Sequence, residues 1–394
     1  MHVLSTLLPA VGLLAQLSAA KYSLKDDYGS TDSFFDKFNF FTDSDPTNGF
    51  VSYVDRDTAS SGGLINASSS NGVYIGVDHS NTASDPGRQS VRLESTNTYT
   101  HGLVILDLAH MPGSACGTWP AFWMLGSDWP NNGEIDIIEG VNGQSSNQMT
   151  LHTSSGCSIS NSGFTGTLET DDCYVDASGQ TANAGCAIDN GNTQSFGSGF
   201  NDAGGGVYAT EWTGSAINVW HFPSYSVPSD ITSGNPVPSN WGTPAARFAG
   251  SCDINSHFKD LQIVFDITFC GDWAGDSSVW GQGSCAGKAD TCDSYVQNNP
   301  SAFEDTYWSV KSLKVYQESS QLDIDVGINI DVDIDIGHGD GHGGGHGGGH
   351  GDKSRSSKQS TRDTAPYVRP GPRPSTKHRR DHYRRGHGHG HVHA

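Results

Sequence analysis

An all-β sandwich is the fold this 394-residue sequence predicts, on three observations. From residue 21 to about 317 the chain is rich in Gly, Ser, Thr, Asn and aromatic residues. No long stretch in it carries helical periodicity. Its apolar runs are short and separated by turn residues, the pattern of many short strands. Taken in order, residues 103–106 (LVIL) read as a buried strand. Residues 207–222 read as a hairpin turning at Gly214-Ser215. Residues 262–267 (QIVFDI) read as a second buried strand, and residues 309–316 alternate cleanly enough to read as a closing strand.

The stretch that organises the rest is Gly133-Glu134-Ile135-Asp136-Ile137-Ile138-Glu139-Gly140. Its isoleucines favour a strand. Alternation puts Glu134 and Asp136 on one face, whereas Glu139, five residues after Glu134, would point the other way. One extra residue, a β-bulge at Ile137-Ile138, returns Glu139 to the face of the other two acids. Three carboxylates on one face repel one another. That arrangement suits a cation site, since hard cations take oxygen ligands, or a carboxylate pair for glycoside hydrolysis. A solvated acidic face on an edge strand is the plainer alternative, but isoleucines fill the gaps and tryptophans crowd both flanks.

With Trp119-Pro120-Ala121-Phe122-Trp123-Met124 upstream and Met149-Thr150-Leu151-His152 downstream, this motif resembles glycoside hydrolase family sixteen, and within it the fungal endo-β-1,3(4)-glucanases, or laminarinases. The resemblance spans residues 28–317. It implies a curved β-jelly-roll sandwich with an open concave cleft, and a retaining endo-glucanase without a catalytic cofactor. It implies Glu134 as nucleophile, Glu139 as acid/base and Asp136 as a supporting acid that hydrogen-bonds Glu134. It places His152 near Asp136 or Glu139, and Arg92 near the substrate. Among the tryptophans, Trp123, Trp129 and Trp273 are candidate sugar platforms, because a pyranose lays its C–H face on an aromatic ring. Trp119 and Trp212, set in apolar strand patterns, read as core residues. Two other activities fit the same fold: a cell-wall transglycosylase, whose motif usually lacks the extra residue, and a glucan-binding lectin, which tends to lose one of the two glutamates.

Residues 1–20 form a Leu-rich run ending in Leu17-Ser18-Ala19-Ala20, read as a secretory signal cleaved before Lys21. The eight cysteines (Cys116, Cys157, Cys173, Cys186, Cys252, Cys270, Cys285 and Cys292) then read as up to four disulfides. Of the 105 possible connectivities none is selected, although Cys285 and Cys292 are close enough in sequence to close a small loop. Tight CxxC pairs for zinc are absent, and no motif marks a structural calcium ion. Asn66-Ala67-Ser68 is a candidate N-glycan acceptor.

Residues 1–318 carry 34 acids against 11 Lys and Arg, a balance that excludes nucleic acid and suits a neutral β-glucan partner. No membrane span is expected, and the protein reads as a secreted monomer of the extracellular space or cell wall. Catalytic residues 21–318 are followed by a tail, 319–394, of alternating Asp and Ile and then Gly, His and Arg. The tail reads as a disordered low-complexity extension. Asp331, Asp333 and Asp335 do not complete a calcium loop, because the glycine falls at Gly337 rather than at loop position six and position twelve is His342 rather than Glu.

Overall fold

The structure, a computed structural model, describes residues 22–69 and 72–319. The leader at residues 1–20 and the tail from residue 320 lie outside the described residues. Two eight-stranded antiparallel sheets stack face to face. The first runs Ala246–Phe248, Ile217–Pro223, Gly206–Trp212, Gly102–His110, Tyr307–Glu318, Gly72–Gly76 and Ile65–Ser69, with Tyr22–Asp27 also pairing onto Tyr307–Glu318. The second runs Thr167–Leu168, Cys186–Asp189, Gln148–His152, Glu134–Glu139, Thr118–Gly126, Leu261–Phe269, Arg92–Tyr99 and Phe38–Phe41. The four segments read as strands from the sequence are all strands here. The hairpin turns at Gly214-Ser215, with Trp212 opposite Ile217.

Alternating side chains fill the space between the sheets. Phe265 is its hub. It packs against Phe122 at 4.7 Å and Phe38 at 6.2 Å within its own layer, and against Trp308 of the opposite layer at 5.8 Å, edge to face. Burying each such ring contributes about 1.5–3 kcal/mol. The run at 103–106 is apolar throughout because both of its faces are covered. Val104 and Leu106 join the main core, whereas Leu103 and Ile105 lie under Val227, Ile231 and Trp241. Among the described residues no helix is long and apolar enough to cross a membrane.

Four disulfides form: Cys116–Cys285, Cys157–Cys252, Cys173–Cys186 and Cys270–Cys292. Cys285 and Cys292, close in sequence, therefore do not pair with each other. The segment between them crosses the ends of two adjacent strands, so its cysteines face different partners. Cys116 lies just before Thr118–Gly126 and Cys270 just after Leu261–Phe269. The first and last of these bonds thus pin one loop to the ends of two adjacent strands, of which Thr118–Gly126 pairs with the carboxylate motif.

Candidate active site

The motif forms the strand Glu134–Glu139, fourth in its sheet. A turn precedes it and ends at Gly133, which has φ +78°. A Cβ there would lie 2.5 Å from both the His257 carbonyl oxygen and the Phe258 ring, so only glycine fits. Against the Thr118–Gly126 strand, Asp136 pairs with Trp123 but Ile138 already pairs with Phe122. Ile137 is the extra residue. Ile135, Ile137 and Ile138 are all fully buried, while Glu134 and Glu139 are half-buried. All three isoleucines thus serve the core, and both glutamates reach the outer face of the sheet.

The bulge has its own support, which sequence reading missed. Fully buried Asn147 accepts the Glu139 backbone N–H at 2.8 Å and donates its amide to the Ile137 carbonyl at 2.8 Å. Those are backbone groups that the irregular ladder leaves without strand partners. Ser195 Oγ in turn accepts the Asn147 backbone N–H at 2.9 Å.

Each glutamate has an indole donor. Trp119 Nε1 donates to Glu139 Oε1 at 2.9 Å, and Trp129 Nε1 donates to Glu134 Oε2. Trp119 is therefore not the core residue its apolar setting suggested. The Thr118–Gly126 strand buries Phe122 and Met124 and leaves Trp119, Trp123 and Leu125 half-exposed, so Trp119 shares the outer face with Trp123. Trp212 is buried, as expected. Trp273 packs edge-on against Trp119 at 5.6 Å. Trp129 is 43% exposed and, with Asn131, Tyr174 and Asp176, lines a cavity of about 440 Å³ beside Glu134.

Asp136 lies between the glutamates and is 2% exposed. Burial pushes its carboxyl well above the usual range, and the charge of Glu134 and a hydrogen bond to it push further. His152, directly opposite Glu134 in the ladder, brings Nε2 to 3.3 Å from Asp136 Oδ2. Glu139 is also raised well above the usual range. Burial is the main cause and the charge of Asp136 adds to it, while the Trp119 N–H and His152 oppose it. Glu134, Asp136 and His152 each offer a donor atom within 4.8 Å of the others. They are close enough to share protons, and close enough to ligate a divalent cation.

Arg92 is not a surface residue. Its pairing with Glu94, at 2.8 Å, lies in a buried setting with the guanidinium between the Phe41 and Trp123 rings. Asp266 was absent from the sequence-based candidates. It lies opposite Ala121 in the ladder, and Ala121 lies opposite Glu139, so one row across three strands reads Glu139, Ala121, Asp266. Burial raises the Asp266 carboxyl to about 7, with Arg92 opposing and Asp45 adding to the rise. A single aspartate inside an otherwise apolar strand was the signal available.

A family model described as the XgeA-like, catalytic GH16 domain matches residues 38–316. An Arthroderma benhamiae protein named endo-1,3(4)-beta-glucanase is 49% identical over 314 residues, which span 79% of this chain and 68% of that protein. A relative from Aspergillus fumigatus, 46% identical, is longer, and the chain spans only about half (48%) of it. Among solved structures, laminarinase 16A from Phanerochaete chrysosporium, with 6-O-glucosyl-laminaritriose in donor and acceptor sites, superposes with a TM-score of 0.71. It is 45% identical over 76% of this chain and 100% of that one. A GH family 16 elongating β-1,3-glucosyltransferase gives 0.69 at 48% identity, over 75% of this chain and 100% of that one. A bulged carboxylate strand in a two-sheet sandwich, matched in sequence across nearly all of its described length, places the chain in glycoside hydrolase family 16.

Proposed function

We propose that the chain is a secreted endo-β-glucanase that cuts internal β-1,3 or mixed β-1,3-1,4 linkages with retention of configuration. The observation that carries this reading is the single extra residue, Ile137, which turns Glu134, Asp136 and Glu139 toward one face. Glu134 attacks the anomeric carbon. Glu139, held protonated by its buried and negatively charged surroundings, gives its proton to the departing sugar oxygen. Glu139 then takes a proton from water, and that water releases the glycosyl-enzyme. Asp136 and Glu134 share one proton through their hydrogen bond, so the two acids do not repel with full charge, and the negative charge left on the pair helps keep Glu139 protonated.

Trp123, Trp129 and Trp273 supply the aromatic surface for the sugar chain. Residues 21–318 form the catalytic unit after removal of the 1–20 leader, with 319–394 as a low-complexity extension. Asn66, exposed on an edge strand, is the N-glycan acceptor in this reading. Reducing-sugar release from laminarin and lichenan tests the activity. E134Q and E139Q are each expected to lose about two to four orders of magnitude in rate; full activity in either would overturn the assignment.

A second reading, glycosyl transfer, is favoured by the likeness to the elongating β-1,3-glucosyltransferase. In it a sugar hydroxyl replaces water at the glycosyl-enzyme. Products longer than the starting oligosaccharide, appearing at high acceptor concentration, would identify it.

A further inference from the structure

A carboxyl in the middle of a core strand needs a reason. Asp266 is flanked by Phe265 and Ile267, both buried, and burying an acid is costly without partners. One of its oxygens has a partner, since the Tyr53 hydroxyl donates to Oδ2 at 3.1 Å. Oδ1 is buried and has no hydrogen-bond partner among the described residues, and the same is true of Trp123 Nε1. These two groups are complementary, an acceptor and a donor, and they belong together. Trp123 lies opposite Val264, two residues from Asp266 on the same strand face, so the pair are diagonal neighbours within reach of a tryptophan side chain.

Trp123 is also held from a second direction. The Arg92 guanidinium sits over its ring at 5.0 Å, with Phe41 at 4.6 Å on the other side of the cation. Glu94 fixes Arg92 through Nε at 3.0 Å and Nη2 at 2.8 Å. One ring face is thereby engaged, and Trp123 remains half-exposed toward the face that carries Glu134 and Glu139. The N–H to carboxyl bond is open here, with donor and acceptor at diagonal positions on one sheet face.

We propose that Asp266 is a positioning residue for the sugar platform, holding Trp123 by its indole N–H against the Arg92 guanidinium so that the ring meets the glucan already oriented. The proposal deepens the glucanase reading and rests on it.

The test is steady-state kinetics on laminarin with the full chain, together with calorimetric binding of laminarihexaose in an E134Q background. D266V is expected to raise KM, and to weaken hexaose binding, by about tenfold, with kcat falling less than KM rises. D266N, whose amide oxygen still accepts the N–H, recovers most of that affinity. Added to W123F, which has no N–H, D266V has little further effect. The proposal is overturned if the loss falls on kcat with KM unmoved, if D266N is as damaged as D266V, or if D266V keeps its full effect on W123F. Should D266V not fold, W123F decides: its loss must lie in KM and be the same with and without D266N. Laminarin turnover by the wild type, and its loss in E134Q, tests the glucanase reading separately. If the wild type proved inactive, hexaose binding with and without D266V would still decide the role of Asp266.

Discussion

Trp119 Nε1 donates to Glu139 Oε1 at 2.9 Å, from the strand next to the bulge. This bond stabilises the carboxylate form of a group that burial and Asp136 otherwise keep protonated. W119F removes the donor. The pKa of Glu139 then rises further, and the alkaline limb of kcat/KM is expected to move up by about one pH unit while kcat falls. A pH–rate profile on laminarin checks this. An unmoved limb would mean that Trp119 is packing alone.

D136N should act with the opposite sign. The charge of Asp136 is, after burial, the leading cause that raises Glu139. Asparagine keeps the shape and cannot ionise. The alkaline limb should therefore move to lower pH, with kcat reduced because Glu134 loses its proton-sharing neighbour. The same profile measures it.

N147A should loosen the bulge. It leaves the Ile137 carbonyl and the Glu139 N–H unpaired. At about 1–3 kcal/mol for each of these two buried groups left unsatisfied, stability should fall by roughly 2–6 kcal/mol. Activity should fall with it, because Glu139 is held by the same contact. Urea unfolding with kcat on the folded fraction would show both losses; a variant as stable and active as wild type would remove Asn147 from the account.

Asp266 should make stability depend on pH in a defined direction. Its folded-state carboxyl titrates near 7, above the ordinary carboxylate range of the unfolded chain. Between those values the folded state binds the extra proton, so stability falls as pH rises from about 4 through about 7. D266N should flatten that part of the curve. Melting temperatures of both proteins across this range provide the measurement.

Much of this architecture is legible in the sequence because strands obey a period of two. The same counting that returns Glu139 to the face of Glu134 requires one bulge, and the isoleucine doublet marks it. The hairpin at 207–222 and the closing strand follow from alternation and a Gly-Ser turn. Trp119 shows parity underused: it is four residues from Trp123 and so must share its face, yet its apolar neighbours suggested the core. Asp266 was legible only as an anomaly within an apolar strand, because its meaning depends on register with Ala121 and Trp123. Asn147 and the disulfide partners were not legible. Asn147 acts only eight and ten residues from its partners, but across a loop whose path local pattern does not encode, and Cys116–Cys285 and Cys157–Cys252 join segments far apart in sequence.

The most direct test of the central claim is to trap the glycosyl-enzyme. A β-1,3-linked oligosaccharide donor with a 2-deoxy-2-fluoro sugar and a good leaving group should form a stable adduct. Peptide mapping by mass spectrometry then locates the sugar. Attachment to Glu134, lost in E134Q, is the result expected; attachment to Asp136 or Glu139, or turnover with inversion and no adduct, would contradict it.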